Sequence, residues 1–450
     1  MIERLRRHVA PAYLFLCLLL GGSAQGVWGN MALRLIAILI IGWALLDRKD
    51  AHQLRAAKQL LLLIGLAIAL VLLQLIPLPS SLWAALPGRS RFAAGFELLG
   101  IDPATMPLSL DPYASLSTSL ALLPPLGMLL AMIGLRGYST AWLAAALISG
   151  TIAGVLLGIL QVTSGDPANS GWYLYSFSNF GVATGFFANS NHMASLLLAT
   201  IPFIAALGAT VRERAKDVRL RSAALALVGG GLVVVILGLV LNGSLAGYGL
   251  GLPVVLASVA MLLGARSRLG RAMLPVVAIA ALVAVAVIWA SPVNRGATTS
   301  VSSRQEMLSN SLTLEREFGL AGTGLGTFEK AYRLTEDPGQ VGRYYVNHAH
   351  NDYLELAIEM GLPGIILILL FLGWWGRAVW GMARSPAADH FAMAGAVASA
   401  ALLLHSAVDY PLRTAAMSSV LAMCLVLIVQ SRRSARSETD LRPVRHVVVG

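Results

Sequence analysis

"SAALALVGGGLVVVILGLVL", residues 222–241, runs for twenty positions without a charged side chain. As a helix rising ~1.5 Å per residue it would cover roughly 30 Å, the thickness of a bilayer's hydrocarbon core. Its apolar residues are continuous instead of alternating, which fits a helix and not a barrel strand. Similar runs recur along the 450-residue chain, each bounded by charged residues or by Gly, Pro and Asn. Twelve are read as membrane spans, at about 9–28, 31–46, 59–76, 114–134, 140–161, 190–210, 222–241, 246–264, 272–290, 353–375, 391–409 and 414–430. A content of 57% hydrophobic and 12% charged residues and a mean hydropathy of +0.74 lie outside the range of soluble domains. The expectation is an all-α integral membrane protein, a single polytopic domain over 1–450.

Lys and Arg orient it. With the N-terminus in the cytoplasm, most of the 33 Lys and Arg fall on that side, in "MIERLRRH", in short loops such as that around Arg212, and in the tail 431–450. Both termini are thus predicted to be cytoplasmic, and residues 77–113, 162–189 and 291–352 external. The net charge of +11 then reflects topology and anionic lipid, not a nucleic-acid footprint. The first run lacks a small-x-small cleavage site leading into a soluble chain and is read as a retained helix. Cys17 and Cys424, the only cysteines, both sit inside predicted spans, so no disulfide framework or thiolate metal site is expected.

The external segment between the ninth and tenth spans, 291–352, breaks the charge trend. It carries Arg295, Arg304, Arg316, Lys330, Arg333 and Arg343, which suits an anionic ligand on that face; pairing with neighbouring Glu and Asp is the alternative. It ends in "VNHAHNDYLELAIEMGLPG", 346–364. His348-x-His350-x-Asp352 has the spacing of some metal sites, but it leads straight into a membrane helix with no further ligands. Asn351 or Asp352 is expected to cap that helix, with Glu355 completing a capping-box-like arrangement around Asp352. A helix N-terminus with unpaired N–H groups would also cradle phosphate, beside a neutral histidine able to act as base.

Three other stretches carry polar groups at helix mouths. "GFFANSNHMASLLLATIP", 185–202, places Asn189, Asn191 and His192 at the start of the sixth span, either as cap and interfacial residues or against sugar hydroxyls. "HSAVDYPLR", 405–413, has His405 and Asp409 one turn apart, either paired with each other or lining a cavity. "GLAGTGLGTFEKAY", 319–332, lacks the third glycine and the βαβ setting of a nucleotide loop and reads as a tight external turn. No Walker A, Asp-x-Asp or Gly-x-Ser-x-Gly motif occurs, which argues against an ATP-driven machine, a nucleotide-sugar enzyme and a serine hydrolase.

Taken together, His350-Asn351, nine residues, then Gly361-x-x-Gly364 resembles the signature of the O-antigen ligase/polymerase superfamily of bacterial membrane glycosyltransferases. "GFFANSNHMASLLL", "SSRQEM" with Arg304, "GTGLGTFEKAY", "QLIPLP", "PLSLDP" and "HSAVDYPLR" are also similar to stretches of that family. The resemblance implies a donor glycan linked to undecaprenyl diphosphate and an acceptor that is a glycan or lipid A–core. It implies His350 as the catalytic residue and Arg304 as a diphosphate ligand, with Asn351, Arg316 and Arg343 as further diphosphate contacts. Asn189, Asn191, His192, His348, His405 and Asp409 would line the glycan cavity. One departure stands out. Where family members carry Ser-Arg-Gly/Ala, this chain reads Ser244-Leu245-Ala246, so the missing charge would come from Arg316 or Arg343. The implied reaction is inverting and uses no metal or cofactor. The implied place is the bacterial inner membrane with the site facing the periplasm, within a polysaccharide assembly complex or alone. Exopolysaccharide or O-antigen polymerisation, O-antigen ligation and protein glycosylation share this chemistry. A flippase of lipid-linked oligosaccharide is the competing class, disfavoured because the polar residues cluster at one face.

Overall fold

The computed structural model describes residues 2–24, 27–47, 51–135, 138–262, 268–290, 304–340, 346–384 and 389–440. Three helices open the chain, α1 (Ile2–Leu20), α2 (Trp28–Leu46) and α3 (Ala51–Gln74). A short excursion follows, in which β1 (Pro77–Pro79) pairs antiparallel with β2 (Thr105–Pro107), Leu78 opposite Met106, around helices α4 (Ser80–Ala84) and α5 (Ser90–Leu98). Helices α6 (Pro112–Ser119), α7 (Leu123–Gly134), α8 (Thr140–Val162), α9 (Ser190–Arg214), α10 (Val218–Asn242), α11 (Leu245–Leu262) and α12 (Arg268–Ala290) come next. Then α13 (Arg304–Phe318) and α14 (Phe328–Tyr332) precede the closing helices α15 (Asp352–Ala383), α16 (His390–His405) and α17 (Ala415–Asp440).

Each expected span overlaps a helix, and the chain is an all-α membrane protein. By length and composition, seven helical stretches among the described residues are long and apolar enough to cross a membrane: Trp28–Leu46, Ala56–Gln74, Pro112–Gly134, Thr140–Val162, Ser190–Arg214, Val218–Asn242 and Asp352–Ala383. Four others are apolar but shorter: Leu245–Met261, Pro275–Val287, His390–His405 and Ala415–Ser431. Glu3, Arg4, Arg6 and Arg7 in its first turns keep α1 out of this set.

Burial separates inner from outer helices. Every residue of α9 from His192 to Ile204 is buried, whereas α10 buries only Val235, Gly238 and Asn242. Leu227, Val233 and Val240 of α10 are exposed, as expected of side chains that face lipid. A polar residue at the mouth of α9 is therefore held inside the bundle.

The polar segments around α5 and α13 form a second, smaller core. Met307, Leu314, Phe318, Phe328, Tyr332 and Ile358 are its buried centre, with Phe92, Leu110 and Leu354 against it. Arg89 is fully buried here. Its guanidinium lies 5.4 Å from the Trp83 ring and 5.6 Å from the Phe318 ring and donates to the carbonyls of Leu108 (2.6 Å) and Gly322 (2.8 Å). Burial lowers its pKa to about 10, which leaves it charged near neutrality. Ion pairs from Arg91 to Glu317 and from Lys330 to Asp111 join the same two segments.

The Gly-rich stretch docks on a break in α15. At Gly361 the backbone takes φ 63° and ψ −154°, a region open in practice only to glycine. The helical ladder is interrupted and the loop takes up the released groups. Leu362 N–H donates to Gly319 O (2.7 Å), Thr323 N–H to Ile358 O (3.0 Å) and Gly324 N–H to Glu359 O (2.8 Å). Gln74, at the end of α3, completes the joint, donating to Glu359 O (2.9 Å) and accepting from Leu325 N–H (3.0 Å). The expected tight turn is thus present, and what it folds onto is the kink.

A Cβ at Gly361 would meet Gly322 N at 2.6 Å and Gly319 O at 2.9 Å, both backbone atoms. Gly361→Ala should therefore destabilise the protein by at least about 1–3 kcal/mol, read as a lowered unfolding temperature of the detergent-purified protein. An unchanged transition would mean that the kink relaxes freely.

Candidate functional site

His350 is set apart by its backbone before its chemistry. At φ 48° it is the non-glycine residue with positive φ among the described residues, a left-handed conformation costing on the order of 1 kcal/mol. Its Nδ1 lies 2.9 Å from Asp409 Oδ1, and the ring keeps 29% of its surface exposed while Asp409 keeps 1%. A carboxylate only accepts hydrogen bonds, so Nδ1 carries a proton, and in the tautomer this selects Nε2 is the nitrogen with the lone pair. Burial opposes the charge of Asp409, but the hydrogen bond from His350 and the nearby His192 and His405 more than offset it. The carboxyl stays well below the usual carboxylate range.

Tyr410 packs three histidines. Ring centroids lie 4.2 Å away for His348, 4.9 Å for His350 and 4.9 Å for His192. Asn189 and Asn347 hydrogen-bond its hydroxyl oxygen, while burial raises the phenol pKa further above its ordinary value. Four residues predicted to line the cavity, His192, His348, Asn189 and Asp409, therefore meet His350 around this ring. His192 is buried, and neither of its ring nitrogens has a hydrogen-bond partner among the described residues.

His405 Nδ1 lies 2.8 Å from Ser195 Oγ, deep in the bundle, while Asp409 Oδ1 takes the hydrogen bond of His350. Asn191 accepts from Ser244 Oγ (2.6 Å), tying α9 to the start of α11, and Asn189 caps α9 through the Asn191 N–H (2.8 Å). Both amides are thus engaged within the fold. The residues of "HAHND" do not converge on one point, since His348 bonds Glu355, His350 bonds Asp409 and Asp352 accepts from Ser406 Oγ (2.8 Å) and Leu412 N–H (3.3 Å).

The phosphate cradle at the entry of α15 is also corrected. Asn351, not Asp352, is the cap, accepting from the N–H groups of Tyr353 (3.0 Å) and Leu354 (3.1 Å). The N–H of Asp352 donates to Ser406 O (2.9 Å) and that of Glu355 to Asn351 O (3.0 Å). These first-turn donors are occupied, leaving none for a diphosphate, and the Asn351 side chain is held by its cap. Of the predicted arginines, Arg316 is exposed on α13 and Arg304 opens that helix. The side chain of Arg304 and all of Arg343 lie outside the described residues.

The central cation of the site is one that the sequence reading passed over. Arg413, closing the turn after α16, is largely buried and meets Glu359 Oε2 at 2.9 Å, Glu355 Oε1 at 3.2 Å and Asp352 Oδ1 at 3.8 Å. Burial alone would lower its pKa, but Glu355, Glu359 and Asp352 drive it the other way. Its one signal in the sequence is an arginine closing the short polar turn "DYPLR" between two apolar runs. The partners, 54 to 61 residues away, share no local pattern with it.

Residues 230–369 match the model of the O-Antigen ligase family, a stretch that includes His350, Asn351, Gly361 and Gly364. The match supports placement among membrane proteins of the O-antigen ligase/polymerase superfamily. No curated protein matches the chain.

Removing Arg413 would strand carboxylates that are at most 1% exposed at Glu355 and Glu359. Arg413→Met is expected to destabilise the protein by about 3–5 kcal/mol, with Arg413→Lys intermediate, in thermal unfolding of the purified protein. Wild-type stability of the Met variant would show the network to be dispensable.

Proposed function

We propose that this protein, a glycosyltransferase-type enzyme of the O-antigen ligase class, transfers a glycan from an undecaprenyl-diphosphate carrier to a sugar hydroxyl. The site would face the periplasm from the bacterial inner membrane, since the cation distribution favours cytoplasmic termini. The observation that carries the reading is the 2.9 Å contact between His350, which lies in the histidine motif of the matched region, and Asp409, which lies beyond it.

The chemistry follows from that geometry. With Nδ1 protonated and bound to Asp409, His350 Nε2 accepts the proton of the attacking hydroxyl. The acceptor oxygen forms its bond to the anomeric carbon as the bond to the phosphate oxygen breaks. The electron pair leaves with the lipid diphosphate, and direct displacement inverts the anomeric centre. Asp409 steadies the imidazolium formed in the step. Because the N–H groups at the entry of α15 are engaged, neutralising the leaving diphosphate falls to arginine, with Arg304, Arg316 and Arg343 as candidates. Leu245, where relatives of the family carry arginine, is half-exposed and adds no charge.

The acceptor is taken to be a growing glycan, because the resemblance extends to exopolysaccharide-type segments. A deletion strain should then show shortened surface polysaccharide. Bare lipid A–core with full-length lipid-linked chains accumulating would instead mark a ligase.

His350→Ala is expected to abolish transfer in a purified, lipid-reconstituted assay. Asp409→Asn, which retains shape but not the acceptor that selects the tautomer, should lower kcat by about 100-fold or more. Near-wild-type turnover by either variant, with intact expression, would overturn the assignment of the base.

A further inference from the structure

Glu355 lies on the first turn of α15 and is 1% exposed. A buried carboxylate so near a helix start would ordinarily serve that helix's own donors, yet both of its oxygens face backwards. Oε2 accepts from the N–H of Ala349 at 2.8 Å. Oε1 lies 2.8 Å from His348 Nδ1 and 3.2 Å from Arg413. Glu355 therefore grips the two residues directly before His350, the residue with the left-handed backbone. The other side of His350 is fixed independently, by the Asn351 cap and by the Asp352 N–H on the Ser406 carbonyl.

We propose that Glu355 is a positioning residue: its two carboxylate oxygens clamp Ala349 and His348 and so hold His350 in the left-handed conformation that aims its ring at the acceptor. This rests on His350 being the base. A strained conformation persists only where its surroundings over-determine it, and here the restraints come from both sides of the residue. His348 takes part as well, because its ring packs on Tyr410, the neighbour of Asp409. The clamp thus links the backbone that carries the base to the loop that carries its partner. Both oxygens of Glu355 accept, whereas an amide keeps one acceptor and can serve both contacts only if His348 switches to the tautomer whose Nδ1 accepts.

Glu355→Gln leaves Arg413 with Glu359 and Asp352, so the fold should survive while the aim of His350 is lost. In the reconstituted transfer assay kcat should fall about 100-fold, the scale of a small misplacement of a catalytic group, with the KM for the lipid-linked donor and the unfolding temperature little changed. Glu355→Asp, which restores two acceptor oxygens one methylene short, should recover part of the rate. A folded Gln variant with wild-type kcat, or a loss of rate that only tracks lost stability, would overturn the proposal. If the Gln variant does not fold, the Asp variant decides: reduced kcat at unchanged stability supports the clamp and unchanged kcat refutes it. His350→Ala measured alongside separates the two levels, since activity there removes the base itself, whereas an inactive His350→Ala with an unaffected Glu355→Gln removes only the clamp.

Discussion

Arg413 is the charge on which the arrangement of the site depends. Asp352, Glu355 and Glu359 all reach it within 4 Å, in surroundings where an isolated carboxylate would cost several kcal/mol. Neither the cation nor the carboxylates would be tolerated alone, so the turn after α16 and the first turns of α15 are held together. Asp409 lies four residues before Arg413 on that turn, and its contact with His350 follows from the same clamp. The charge network therefore sets the geometry without touching the ring nitrogen that would do the chemistry.

A second constraint acts through the backbone. A kink at Gly361 in an apolar helix releases peptide groups that cannot be left unpaired in a membrane. The turn at 319–326 supplies the partners, and Gln74 and Arg89 secure that turn to the end of α3 and to the β1–β2 segment. Glu359 takes part in both systems: its carbonyl serves the turn, while its carboxylate accepts from Gly326 N–H (2.8 Å) and from Arg413 (2.9 Å). Gly361 of the histidine motif is thus structural, and it brings the Gly-rich turn against the helix that begins at Asp352.

Much of this was legible locally. The helices follow from uninterrupted apolar runs, and Asn351 and Asn189 were readable as caps because capping is decided within three residues. His350 stood out through its motif. Arg413 did not, because a buried ion pair is recognisable only when its partners are known. Asp409 was noticed, but its partner was left open: one helical turn from His405, it bonds a residue 59 positions away. The phosphate cradle failed for a related reason, as the donors of a helix entry are free only if no carbonyl from elsewhere reaches them, and here Ser406 does.

Resemblance alone linked residues 346–364 to the histidine and glycines of the O-antigen ligases; by itself, the sequence determined that the chain is an all-α membrane protein and that its polar residues gather in a few segments. Those are properties of period, composition and spacing, which act over one or two turns. Only the tertiary structure decided which ionisable groups face one another. That choice is made by burial, because a charge removed from water must find its partner in space, however far apart the two lie along the chain.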